Sequence, residues 1–149
     1  MVWKPRLTVA AIIEQWGRFL LVEETIDGKV VLNQPAGHVE DGESIIDAVI
    51  RETLEETAWE FRPQSLVGLY RWVHPDGDTY LRAAFHGEVV THYPDQALDP
   101  DIDRVRWMKL SELQQAEAED RFRSPLVMRC LRDYLAGRRY PLELLQDVE

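Results

Sequence analysis

Glu52, Glu55 and Glu56 lie three and four residues apart near the end of a helix-like run, directly after Arg51. That spacing brings the three carboxylates onto one helix face. Like charges so placed repel by a few tenths of a kcal/mol per pair. A hard divalent cation removes the repulsion, because Mg²⁺ takes carboxylate oxygens. A solvated acidic face normally answers each glutamate with a base four residues on. Here the positions after Glu52, Glu55 and Glu56 hold Glu56, Trp59 and Glu60. Glu52 and Glu56 also fall beside Ile45 and Val49, at the margin of the apolar stripe. Ala48 lies one turn before Glu52, so a loop containing Gly37 and Gly42 can approach closely, offering backbone carbonyls. The pattern favours a metal site over a solvated acidic face.

The elements that hold this cluster follow from periodicity. Glu43 to Thr57 is the best helix, with Glu43 and Asp47 at its start where the dipole favours acids. Leu54 falls outside its stripe, so the helix is expected to be covered on two sides. Leu7–Glu14 and Arg18–Glu24, split by Gly17, read as a hairpin. Asp27-Gly28 turns into a strand, Val30–Leu32, and Pro35-Ala36-Gly37 opens a loop. Leu66–Val73 and Thr79–Val90 form a second hairpin around Pro75-Asp76-Gly77. Thr91–Pro100 is a polar loop and Val105–Met108 a short strand. Ser111 caps a short helix. Ser124-Pro125 opens the last helix, which Gly137 ends. The order implies a mixed sheet with helices on its faces, in one domain over 1–149.

The chain has 149 residues and a formal charge of −10. Such a field repels nucleic acid backbones and anionic membranes, so an anionic substrate needs metal ions or placed arginines. Cys130 is the only cysteine, which precludes an intrachain disulfide and suits a reducing compartment. No signal order is read at the start, and the apolar run Leu7–Ile13 is too short to span a bilayer. The expectation is a cytoplasmic protein. His74, His86 and His92 show no zinc-ligand spacing, and a lone His38 is more often structural.

Gly37, five residues, Glu43, seven residues, Arg51-Glu52, then Glu55-Glu56 resembles the Nudix box, GX5EX7REUXEEXGU, placed here over 37–59. Two positions depart from it. Thr53 fills the aliphatic slot, and Ala58 stands where glycine closes the helix; alanine in a left-handed turn costs about 1 kcal/mol. VEETIDGKVVLNQPAGHVE, DIDRVRW, RSPLV and GRRYPLELL further resemble the NudJ-type subgroup of bacterial Nudix phosphatases. The resemblance implies an α+β fold, a Nudix-like mixed β-sheet sandwiched between helices. It implies Mg²⁺, with Mn²⁺ as substitute, held by Glu52, Glu55, Glu56 and the Gly37 carbonyl. Glu43 and Arg51 become structural support. The implied activity is hydrolysis of nucleoside tri- and diphosphates and of hydroxymethylpyrimidine pyrophosphate, releasing orthophosphate.

Family members often add an acid six residues before a Trp; Asp101 stands so before Trp107, as base or outer ligand. Its alternative is a turn acid in a run with Asp99 and Asp103. Arg82 is a candidate phosphate contact or a solvated strand arginine. Tyr70 and Trp72 are candidates to stack on a ring, or core aromatics. The expected partner is a small pyrophosphorylated metabolite, with no nucleic acid polymer and no membrane, and the protein a monomer. Two other readings are a non-catalytic nucleotide-sensing module and an RNA 5′-pyrophosphohydrolase. All three glutamates being present counts against the first, and the charge with no basic stripe against the second.

Overall fold

The computed structural model describes residues 1–148. Its strands are β1 (Arg6–Ile12), β2 (Glu14–Gln15), β3 (Arg18–Ile26), β4 (Lys29–Asn33), β5 (Ala36–His38), β6 (Trp59–Val73), β7 (Thr79–His92) and β8 (Arg104–Lys109). The helices are α1 (Ile45–Thr57), α2 (Leu110–Ala118) and α3 (Leu126–Leu135), with a short 3₁₀ turn, Leu142–Leu144. The first sheet runs β5-β1-β7-β6, with β1 and β7 parallel and the other pairs antiparallel. In the second sheet β3 pairs with β2, β4 and β8, all antiparallel.

Alternation along the strands divides the core. One face of the first sheet (Ile12, Ala84) and one of the second (Phe19, Leu21, Met108) pack under α2 and α3. The opposite faces (Val9, Phe85, Leu20) pack with Ala48 and Val49 of α1. The mixed sheet between helices is therefore the observed α+β arrangement. Leu54 is partly buried, and the Gln96 side chain donates to its carbonyl (2.7 Å).

Four expectations need correction. β1 does not form a hairpin with β3. Gly17 does make the turn, but only Glu14 and Gln15 pair back, to Phe19 and Arg18. Apolar β1 leaves for the first sheet, where it satisfies its backbone against β7 and β5. The loop after Pro35 contains a short strand, β5, on the free edge of β1. β6 begins at Trp59, well before Leu66, its extra length carried by register shifts around Phe61, Pro63 and Leu66; a bulge is where proline is tolerated in a strand. The helix α2 starts before Ser111, and Glu112 Oε1 accepts the Lys109 N–H there (3.0 Å). The second hairpin, β6–β7 around Pro75-Asp76-Gly77, is as read.

Candidate active site

Local sequence fixes α1. Ser44 Oγ accepts the Asp47 N–H at its start (3.0 Å). Thr53, the departure at the aliphatic slot, is fully buried and donates to the Val49 carbonyl (2.8 Å), which satisfies its hydroxyl. Ala58 ends the helix at φ 60°, ψ 21°, its N–H donating to the Leu54 carbonyl (2.9 Å). The left-handed turn is thus made by an alanine.

The last turn of α1 carries no base. Its carbonyls are met from the 93–103 loop: Gln96 on Leu54, and the Asp99 N–H on Glu55 (2.9 Å). This docking brings Asp99 to the glutamates. Asp101, the expected acid, lines the same cleft but is exposed, its N–H turned to Asp99 Oδ1 (2.9 Å). Asp103 accepts from Thr25 Oγ1 (2.6 Å).

The glutamates differ in surroundings. Glu56 is 7% exposed, and its Oε1 accepts the Ala36 N–H (2.8 Å). No ion pair reaches it among the described residues. Burial pushes its carboxyl up to about 9, and Glu52, Glu24 and Asp99 add to the effect. Glu52 is also raised by burial. Arg51 acts as the hub: Nε and Nη2 fork onto Glu43 (2.6 and 3.0 Å), while Nη1 meets Glu52 Oε1 (2.9 Å) and Glu55 Oε2 (3.2 Å). Its fork holds Glu43 below the usual carboxylate range. Arg51 Nη2 also donates to the His38 carbonyl (3.1 Å), tying the glycine loop to α1.

Gly37 lies against this cluster. A Cβ there would sit 2.1 Å from Glu52 Cδ and 2.3 and 2.4 Å from its oxygens. Only glycine leaves the carboxylate room at that strand. Among the described residues no three carboxylate or imidazole side chains are already gathered around one point. Glu52 and Glu55 are turned to Arg51 instead. The donor set still suits a hard dication: a buried carboxylate lacking a cation, a second beside it, and a backbone able to approach at Gly37.

These groups form one end of a cleft of about 640 Å³. Its floor is the first sheet, where Thr8 pairs with both His38 and Arg82 across the strands. Burial lowers the His38 pKa. Arg82 is 5% exposed, so the solvated alternative fails; β7 places it beneath the cleft and not on the rim. Its Nη1 donates to Gln34 Oε1 (3.0 Å) and its Nη2 to Asn33 Oδ1 (3.1 Å). Trp72 lines the cleft opposite Tyr80, with ring centres 5.8 Å apart. Tyr70 shares that face but does not line the cleft. It lies under α3, its hydroxyl donating to Asp133 (2.7 Å) with Arg129 over its ring. Strand alternation shows the face, not what covers it, and here the core reading of Tyr70 holds. Asp99, Tyr80, Asn33 and Arg123 were not singled out from sequence. Tyr80 alone had a signal, two residues from Arg82 in a strand.

The NUDIX domain model matches residues 4–130. Phosphatase NudJ of Escherichia coli (strain K12) is 43% identical over 146 residues, spanning 98% of this chain and 94% of that protein. Among solved structures, a NUDIX hydrolase from Nitrosomonas europaea is 51% identical with a TM-score of 0.93, covering 97% of this chain and 98% of the other. The NUDIX domain of Shewanella oneidensis NrtR, complexed with ADP ribose, shares the fold at 16% identity and a TM-score of 0.72, covering 91% and 90%.

Proposed function

Because the chain belongs to the Nudix hydrolase family and is a phosphohydrolase similar to NudJ, we propose that it acts with Mg²⁺ on small pyrophosphorylated metabolites. Nucleoside tri- and diphosphates and hydroxymethylpyrimidine pyrophosphate are the substrate class, and orthophosphate is the product released. The observation that carries this reading is Glu56, a buried carboxylate without a cationic partner, beside Glu52 and Gly37 at one end of an open cleft.

Glu52, Glu55, Glu56 and the Gly37 carbonyl would hold the metal, and Mn²⁺ has the same preference for oxygen. A bound dication neutralises phosphate charge and acidifies water, which is what hydrolysis of a shielded phosphorus requires. Arg51 positions Glu52 and Glu55 and is itself fixed by Glu43. Asp99 and Asp101 stand where an acid can accept a proton from water, and Asp99 is tied to α1 while Asp101 is open to solvent. Trp72, facing Tyr80, offers a ring-sized apolar surface. No helix among the described residues is long and apolar enough to cross a membrane.

The test is phosphate release across a panel of pyrophosphorylated metabolites with Mg²⁺, with Mn²⁺ and with excess EDTA. Turnover is expected only with metal and should rise at alkaline pH, because water must lose a proton. Undiminished hydrolysis in EDTA overturns the assignment.

A further inference from the structure

The same cleft has a cationic corner, within reach of the Glu56 charge. The buried Arg82 guanidinium is held by two neutral amides, and its Nε finds no hydrogen-bond acceptor. Gln34, one of those amides, also donates to the Val127 carbonyl (2.8 Å), so Arg82 is braced against the first turn of α3. A guanidinium removed from water without a carboxylate on it is expensive and calls for a counter-charge.

Arg123 approaches the same volume from the chain just before α3. Its backbone is pinned to β4: the Leu32 N–H donates to Arg121 and the Arg123 N–H to Leu32, both at 2.8 Å. Its half-exposed side chain lines the cleft and pairs with the buried carboxylate of Glu24. Ser124 and Leu126, also cleft-lining, follow at the start of α3, where the helix dipole is positive. Burial lowers the Arg82 pKa against the pull of Cys130 and Glu56, and repulsion from Arg123 adds a smaller lowering. Two arginines and a helix start thus face one space with Glu24 as the carboxylate paired there.

We propose that this corner is a phosphate subsite beside the glutamate cluster, in which Arg123 exchanges Glu24 for a phosphoryl group of the substrate. Ser124 and the first turn of α3 flank that group, and Arg82 supplies fixed positive charge from beneath. The identity of the group held rests on the hydrolase reading above.

Binding of inorganic phosphate to metal-free protein in excess EDTA, followed by ³¹P NMR, tests the site apart from turnover. Saturable binding is expected. Arg123→Ala should weaken it about ten- to a hundredfold, the size of a lost charge-assisted contact. Arg123→Lys should fall between, keeping the charge without the fork. Glu24→Gln should tighten it, because Arg123 loses its competing partner. With Mg²⁺ and a turned-over substrate, Arg123→Ala should raise KM far more than it lowers kcat. Equal affinity of wild type and Arg123→Ala, or no saturable binding in wild type, overturns the subsite. Saturable, Arg123-dependent binding by a protein that hydrolyses nothing would support the subsite while rejecting the hydrolase reading.

Discussion

Replacing Glu56 by glutamine separates the fold from the chemistry at the centre of the site. The change is nearly isosteric, and a glutamine Oε1 can keep the Ala36 N–H. In metal-free wild type, burial pushes the Glu56 carboxyl from 4.5 up to about 9. Between those values the folded protein keeps a proton that the unfolded chain has released. The unfolded state then binds fewer protons, so stability falls as pH rises, by about 1.4 kcal/mol per unit. From pH 6 to pH 8 the loss from this group is up to about 2.7 kcal/mol, a large part of a total stability of about 5–15 kcal/mol. The glutamine has no such titration. Urea unfolding in EDTA at pH 6, 7 and 8 should therefore show the variant already the more stable at pH 6, because the loss begins at the unfolded-state value of 4.5, and its lead widening by up to about 2.7 kcal/mol by pH 8. Adding Mg²⁺ should narrow the variant's lead. Metal at a hundred times its Kd adds about 2.7 kcal/mol to whichever protein binds it, and the variant, short of a charged ligand, gains less. Turnover by the variant should be nearly absent. Parallel pH profiles in EDTA would refute the claim that this carboxylate is buried without a cation.

Other variants probe the surrounding parts. Ala58→Gly should stabilise the protein by about 0.5–1 kcal/mol in equilibrium unfolding, because φ there is 60°; destabilisation would reject the left-handed cap. Gly37→Ala should leave the protein folded, since the flexible end of Glu52 can swing aside, but Mn²⁺ affinity measured by electron paramagnetic resonance should fall at least tenfold; unchanged affinity would remove Gly37 and Glu52 from the metal site. Trp72→Ala should raise KM for substrates bearing an aromatic ring by about tenfold, in line with stacking of about 1–3 kcal/mol, and leave inorganic pyrophosphate unaffected; equal effects on both would deny it a ring platform.

Features set by short-range chemistry were legible in the sequence. The apolar stripe through Ile45 and Val49 and the margin position of Glu52 and Glu56 follow from a 3.6-residue period. The Pro75-Asp76-Gly77 hairpin follows from two-residue alternation and its turn residues, its strands meeting through their own turn. What failed depended on partners distant in sequence. Nothing in Leu7–Ile13 says that it leaves Gly17's hairpin to lie parallel to β7. Counting back from Trp107 led to Asp101, which lines the cleft, but nothing local showed that the carbonyls at the end of α1 would draw Asp99 in beside it. Alternation put Arg82, Tyr70 and Trp72 on one face, yet only α3 decides that Tyr70 is covered and Trp72 is not.

The misfits to local rules are concentrated between Glu52 and Ala58. Three acids crowd the C-terminal half of a helix, where the dipole disfavours them. One is buried without a cation, and an alanine takes a left-handed conformation. Each costs stability, and sequences selected for folding alone would drop them. The fold offsets them from elsewhere: Arg51 gathers Glu43, Glu52 and Glu55, and Gln96 and Asp99 cap carbonyls that no basic residue meets. A dication bound to the glutamates would remove the charge conflict but not the strain at Ala58. The two misfits are therefore separable. The metal-dependent one should vanish from stability measurements when Mg²⁺ is added, while the gain from Ala58→Gly should be the same with and without it.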